Sequence, residues 1–430
     1  MFARQLNNIL VRLNIHYGWI MAGMAFITTV FSSAVSSVPQ IIILPITNEF
    51  SWQIFDVSYA VGVMYVILGC CAPFAGALML KIGIGRVAIL AMMFSVFGLV
   101  LTSLADQKWH LLISIGVFFG VASGIIGLGL AATVATRWFV RRRGLVVGVL
   151  ASAFAAGQLL FVPLMAWITT IADWRYALFI PIFGGILSAS LFLLFSKNWP
   201  SELGIPPFGG DAIYNPPEEQ SDNFISTTFQ VLFGSIKHPA FWMLASTFLI
   251  CGLSSTGIVG QHFIPFCADN NVGIVAASSY LAIMGIFNFM GTIGSGWLSD
   301  RFDNYKLLMA YYGLRALSLY YLPFSGFEFY TLIIWAVFFG LDYIATVPPT
   351  VKLSGQAFGP VNGPIIFGWI FGAHQIGSAI AASSAGWARD AFLSYIPSFI
   401  GAGIFSTLAV LIIFFFKNNI SDPIKNKSLA

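Results

Sequence analysis

Apolar residues in this chain come in unbroken runs, each long enough to cross a hydrocarbon layer as a helix rising 1.5 Å per residue. Six runs fall near residues 18–45, 54–80, 86–105, 109–135, 144–170 and 174–196, and six more near 239–266, 274–299, 306–324, 328–350, 361–388 and 394–416. The pattern predicts an all-α membrane protein of twelve transmembrane helices in two six-helix bundles, residues 1–196 and 239–430. Between them KNWPSELGIPPFGGDAIYNPPEEQSDN, rich in Pro and Gly and holding Glu202, Asp211, Glu218, Glu219 and Asp222, reads as a cytoplasmic linker within 197–238. The first run has no small-residue cleavage site after its apolar stretch, so it reads as a retained span and not a removable leader.

Composition agrees: 58% of residues are hydrophobic and 8% charged, against roughly 25% charged in soluble domains. The net charge of +4 therefore says nothing of nucleic acid, and the placement of the cations decides more. If the N-terminus is cytoplasmic, sixteen Lys and Arg gather on the inner side, among them Arg4, Arg12, Lys81, Arg86, Arg137, Arg141 to Arg143, Lys306, Lys352, Lys417, Lys425 and Lys427. Only Lys108, Arg175 and Arg389 lie outside, and Arg315 completes the twenty from within a span. A wrong helix count would scatter these charges, so the bias predicts both termini inside a plasma (inner) membrane. The four cysteines form no CxxC pair and no His cluster accompanies them, so neither a disulfide nor a metal site is expected. GIIGLG, Gly124 to Gly129, follows no strand and precedes no acidic partner, which excludes a dinucleotide reading and leaves no cofactor.

The loop after the second run reads GALMLKIGIGRV and the loop after the eighth reads GWLSDRFDNYKLL, their leading glycines Gly76 and Gly296 being 220 residues apart. Two similar halves rocking about a shared interface are what alternating access requires. These loops resemble the signature of the major facilitator superfamily, Gly-x-Leu-x-Asp-Arg-x-Gly-Arg-Lys. The second copy keeps Gly296, Leu298, Asp300 and Arg301; the first keeps Gly76, Leu78, Lys81 and Gly83 but has Leu80 where the acid belongs. The resemblance implies the major facilitator fold and a conformational latch carried more by Asp300 and Arg301. RWFVRRRGLVVGVLASAFAAG, Arg137 to Gly157, is similar to the fifth-helix signature of the monocarboxylate-porter family. Gly18 and Trp19 echo that family's first-helix motif without its acid, and the charged residues that animal carriers place in helices 1 and 8 are missing, so the architecture transfers and lactate or pyruvate does not. ATVPPT and AHQIG, from Ala345 and Ala373, resemble uncharacterised bacterial relatives.

Small residues at every fourth position, Gly144, Gly148, Ser152 and Ala156 in the fifth span and Gly116, Gly120 and Gly124 in the fourth, predict smooth faces for close helix packing. Ionisable residues inside a span are costly and each is a candidate for function until a partner explains it. Arg315, nine residues past Lys306, and Asp342, eight before Thr350, both come out about 12–13 Å from the inner face, which suits an ion pair between the ninth and tenth spans. Structural pairing is favoured for Arg315 over holding a substrate carboxylate, and Asp342 is the better candidate for exchanging a proton. His374 falls about 19 Å deep, near the midplane, where a proton-coupling role competes with ordinary hydrogen-bonded packing. His262 and Gln261 in the seventh span are candidates for solute contact or an outer gate; Asn288 and Gln158 are hydrogen-bonding residues between helices or within the site. Tyr59, Tyr65 and Thr133 are further uncharged contributors, Pro39, Pro73, Pro163, Pro265, Pro348 and Pro349 mark bends, and Arg137 is expected against phospholipid. The expectation is a monomeric secondary transporter of a small solute, an organic carboxylate by preference, coupled to protons. A proton-driven exporter of apolar compounds and a transporter-like solute receptor are the alternatives, and no nucleophile and base stand together to suggest an enzyme.

Overall fold

A computed structural model describes residues 2–213 and 224–417. Glu218, Glu219 and Asp222 of the expected linker, and Lys425 and Lys427, lie outside the described residues. The spans are α2 (Gly18–Phe50), α3 (Ile54–Phe74, continued by Ala75–Lys81), α4 (Ile84–Ser103), α5 (Lys108–Trp138), α6 (Arg143–Ile171) and α7 (Trp174–Phe195), then α9 (Pro239–Asp269), α10 (Ile274–Arg301), α11 (Asn304–Tyr321), α12 (Phe329–Gly359), α13 (Asn362–Phe392) and α14 (Ile396–Lys417). Eleven of them are long and apolar enough to cross a membrane among the described residues. The other is α11, whose Lys306, Arg315 and tyrosines lower its hydropathy although it packs between α14 and α12 as a full helix. Two further helices, α1 (Phe2–Arg12) and α8 (Phe224–Ser235), precede α2 and α9. Neither was expected, α8 falling inside the stretch read as a linker.

Only Gly359, in the left-handed region at φ 81°, interrupts the backbone between α12 and α13. Any side chain there would be strained. At the other loop, Gly83 at φ 92° turns the chain from α3 into α4, and the Asn198 side chain at the end of α7 accepts from the Ile84 N–H at 2.9 Å.

The longest seam in the molecule joins α3 to α13, which lie in different halves of the chain. It exists because small residues face each other: a Cβ on Gly62 would collide with Ser383, one on Gly386 with Ser58, and one on Gly69 would sit 3.0 Å from Gln375. Phe74 meets Trp369 edge-on at 6.0 Å at the basic end of the seam. At the opposite end Asp390 of α13 accepts from the free N–H groups of Ile54 and Phe55, at 3.3 and 2.8 Å, in the first turn of α3. A carboxylate at a helix N-terminus gains from both the open donors and the dipole. Asp390→Ala is expected to weaken this closure by about 1–2 kcal/mol, raising the share of molecules parted at that end about 5- to 30-fold. Double electron–electron resonance between labels on the exposed ends of α3 and α13 reads it; an unchanged distance distribution would contradict it.

The small-residue stripes fare differently. Gly116, Gly120 and Gly124 of α5 pack on α3, with a Cβ at each meeting Val63, the Met64 carbonyl or Cys71. On α6 the expectation of close packing is corrected: a Cβ at Gly148 would meet nothing within 4 Å, Ser152 bonds only its own helix through Val149, and Ala156 is exposed. Periodic small residues permit an approach without supplying a partner. Tyr59 is 50% exposed.

Candidate functional site

Pro348 and Pro349 have no N–H, so a helix through them would leave the carbonyls of Ile344 and Ala345 without their usual donors. α12 meets this by opening into a turn over Tyr343–Thr346, directly after Asp342. Val347 N–H bonds back to Ile344, and Ser295 of α10 donates to the Ala345 carbonyl at 2.5 Å. The Asp342 carbonyl accepts from Ala345 N–H at 3.1 Å within the turn, which leaves that of Tyr343. Arg315 of α11 takes both, its Nη2 donating to Asp342 and Tyr343 at 2.8 and 3.2 Å.

The same guanidinium donates from Nε to Asp342 Oδ2 at 2.6 Å, forming the ion pair that the matched depths predict, and from Nη1 to Cys251 Sγ at 2.9 Å and Ser254 Oγ at 3.5 Å. Guanidinium has five N–H donors, and each has a partner here. Arg315 is fully buried, and the Tyr312 ring lies 5.6 Å from its centre. An arginine inside a bundle is tolerable on these terms: its charge is paired and every donor is engaged, two of them closing the gap that a broken helix leaves.

Asp342 retains one oxygen, Oδ1, with no partner although buried. His374 of α13 packs beside the same cluster, its carbonyl against Gly252 next to Cys251, while its ring lies between Phe248 at 4.9 Å and Phe371 at 5.8 Å and its Nδ1 is unpartnered. Cys251 is in turn 3.2 Å from Thr346 Oγ1 at the break. Arg315, Asp342 and His374 are thus brought together by α9, α11, α12 and α13.

One residue beyond Asp342, Tyr343 lines a separate cavity between the two halves, with Gln40, Gln158, Val162, Gly260, Leu281 and Met284. The cavity sits about midway along α6 and α12 and measures about 20 Å³, room for roughly one water. Gln40 is 5% exposed, and neither its amide nor that of Gln158 has a hydrogen-bond partner among the described residues. Two amides without partners aimed at the same small space from α2 and α6 form a recognition surface in want of polar contacts.

The other candidates lie elsewhere. Gln261 spans the halves, donating to Tyr65 OH at 2.7 Å with its own oxygen unpartnered. His262 turns away from the cavity into the packing of α9, α13 and Tyr395, with Nε2 at 2.8 Å from the Ala382 carbonyl. Asn288 is bonded to Thr292 on its own helix at 3.3 Å, and Thr133 to the Gly129 carbonyl at 2.7 Å. At the basic end Asp300 pairs with Lys352 at 3.0 Å, tying α10 to α12, and Arg301 lies over Trp297 at 4.0 Å. Cβ positions at Gly76 and Gly296 are open, and Lys81 is exposed. Arg137 does not face phospholipid: it is 7% exposed, donates to the Met79 carbonyl at 3.2 Å and lies 4.5 Å over Trp199. Gln40, Tyr343 and Cys251 were missed by sequence reasoning. An uncharged residue in an apolar run carries no mark of which way it faces.

A bundle of spanning helices, divided by a seam of small residues and holding unpartnered polar groups at its centre, defines the class of multi-pass membrane transporters. The Major Facilitator Superfamily model matches residues 24–341, and the chain belongs to that superfamily, whose members carry small-molecule solutes. It is similar to monocarboxylate transporter 12 of Rattus norvegicus, 21% identical over 91% of this chain and 84% of that protein. Monocarboxylate transporter 13 of Rattus norvegicus is 23% identical over 90% and 86%, and the uncharacterised MFS-type transporter YhjX of Escherichia coli 23% over 77% and 82%. In fold it is similar to a bacterial homolog of the human lysosomal transporter Spinster, solved inward-facing and unoccupied, with a TM-score of 0.68 and 15% identity over 94% of this chain and 98% of that one. These are the relatives and fold of transporters, not of enzymes.

Proposed function

We propose that the chain carries a small organic carboxylate together with a proton, by alternating access, across a plasma (inner) membrane with both termini cytoplasmic. The carrying observation is that Asp342, whose Oδ1 is buried and unpartnered, directly precedes Tyr343, which lines the cavity between the halves. With Asp342 ionised, the ion pair with Arg315 is neutral and offers an anion nothing. A proton on Oδ1 leaves the arginine charge uncompensated, and a carboxylate at Gln40 and Gln158 restores balance, so proton and anion bind as a neutral set. The amides of Gln40 and Gln158 supply donors, while Val162, Leu281 and Met284 suit a short apolar chain. The names of the rat relatives favour the same solute class. In this reading Arg315 acts through charge and through its grip on the broken helix, and His374 assists from the far side of the cluster.

The test is uptake of labelled monocarboxylates into proteoliposomes with and without an inward proton gradient. Accumulation with a gradient and none without is expected; indifference to the gradient would refute proton coupling. Gln158→Ala is expected to raise KM about tenfold, the loss of one hydrogen bond to a charged group. Gly260→Leu, built toward Tyr343 OH at 3.2 Å from the Cβ, is expected to abolish uptake while the purified protein keeps its melting temperature. Undiminished uptake by Gly260→Leu would place the solute elsewhere.

A further inference from the structure

Each half of the chain is preceded by a short amphipathic helix. Six spans separate α1 from α8, an even number, so the two lie at the same face of the bundle whichever face that is. Both are tied to the protein chiefly along one side. Ala3, Asn7 and Leu10 of α1 are buried, and the helix packs on α7. In α8 Thr228 is buried and its carbonyl accepts from Trp369 Nε1 of α13 at 3.2 Å, while Phe229 contacts both Trp369 and Phe74 at 5.4 and 5.7 Å.

A second side of each is apolar and bare. Phe2 at 56%, Ile9 at 55% and Leu13 at 61% exposure fall within about 40° of arc on α1 and its last turn, at 100° per residue. Ile225 at 59% and Phe233 at 60% fall within about 80° on α8, on either side of Phe229, which is 38% exposed, stacks on Phe233 at 6.3 Å and turns its inner edge to Trp369 and Phe74. The third side is mainly polar in both: Arg4, Asn8 and Arg12 on α1, with Val11 at 60% exposure beside Arg4, and Ser226 bonded to Gln230 at 3.3 Å on α8. Large apolar side chains repeated on one helical face need a cover. α2 begins six residues past Arg12 and α9 four past Ser235, so both helices must run at the level where a span leaves the hydrocarbon. The cover within reach of both is the bilayer itself.

We propose that α1 and α8 are a matched pair of in-plane helices, one carried by each half, seated in the boundary between headgroups and acyl chains of a single leaflet. Their apolar faces rest in the acyl region, and Arg4 and Arg12 at the flanks of α1 reach phosphates. The two halves thereby each hold a float on the same membrane surface, at the end where the α3–α13 seam closes through Phe74 and Trp369.

Nitroxide labels test this in the full chain, with Cys70→Ser and Cys71→Ser as background, the buried Cys251 and Cys267 left in place. Single cysteines are placed at Ile9, Leu13, Ile225 and Phe233, with Asn8 and Gln230 as controls, and the protein is put in nanodiscs of mixed zwitterionic and anionic lipid. Power saturation with oxygen and with an aqueous nickel chelate is expected to put the four apolar positions about 5–10 Å below the phosphates and the two controls on the aqueous side. Nickel dominance at the apolar positions would show the helices in water, and protection from both reagents would show a protein partner instead. Either result overturns the proposal. The redundancy of two positions per helix guards against one label disturbing the fold, and monodisperse protein is required before each measurement.

Discussion

Arg315→Met is expected to leave little folded protein in the membrane. It strands the Asp342 carboxylate in a buried site, where breaking such a pair costs about 3–5 kcal/mol. It also orphans the carbonyl of Tyr343, about 1–3 kcal/mol, while that of Asp342 keeps the Ala345 N–H, and the sum approaches the whole stability of an ordinary domain. Asp342→Asn leaves the Arg315 charge without its counter-ion, yet it removes less, because the amide oxygen still accepts from Nε and the two backbone bonds to Nη2 survive. That variant should be recovered from membranes in good yield and should exchange solute across equal concentrations, yet fail to accumulate it on a proton gradient. Arg315→Lys separates charge from geometry: one ammonium cannot replace a fork donating in three directions, so it should resemble Arg315→Met in yield. Thermal unfolding followed by size-exclusion chromatography ranks the three. Wild-type stability for Arg315→Met would show that the break in α12 has no need of the guanidinium, and a normal gradient response in Asp342→Asn would sink the proton assignment.

The second large effect is at the contact between α9 and α13. A Cβ at Gly252 would overlap the His374 carbonyl, and one at Gly377 would overlap that of Leu249. Backbone atoms on both sides leave no flexible side chain to yield. Gly377→Val is expected to destabilise by about 3 kcal/mol or more, overpacking alone costing about 1–3 and the separation of His374 from Cys251 adding to it. Gly148→Ala is the control: with open space around its Cβ it should be neutral or stabilising by about 0.5–1 kcal/mol. Differential scanning fluorimetry in detergent compares them, and equal melting temperatures for the two variants would contradict the close approach of α9 and α13.

The number, length and order of the spans were legible because hydrocarbon thickness imposes a run length that composition cannot hide. Even α11, the one span below the hydropathy of the rest, was marked as a run over 306–324. The ion pair was legible too, since two rare charges on neighbouring antiparallel helices have depths that can be reckoned at 1.5 Å per residue. What escaped was direction around the helix axis. Gln40 and Gln158 look alike in sequence to Thr133, yet two face the cavity and the third bonds its own backbone. His262 and His374 were comparable candidates, and only packing sends one toward Tyr395 and the other toward Cys251. The bends at Pro348 and Pro349 were anticipated, but not that the chain would open four residues earlier, where the missing donors make themselves felt. α1 and α8 were hidden because short amphipathic helices draw their stability from what they lie against, which no local pattern reports.

The joint at Gly359 has a mechanical consequence. With a single left-handed residue between them, α12 and α13 form a bell-crank with almost no slack: a tilt imposed on one arm is delivered to the other. On the proposed transport reading, a stroke that parts Trp369 from Phe74 at one end of α13 tilts the stretch of α12 between Gly359 and the open turn at Tyr343–Thr346, so the gate is linked to the turn whose carbonyls Arg315 holds.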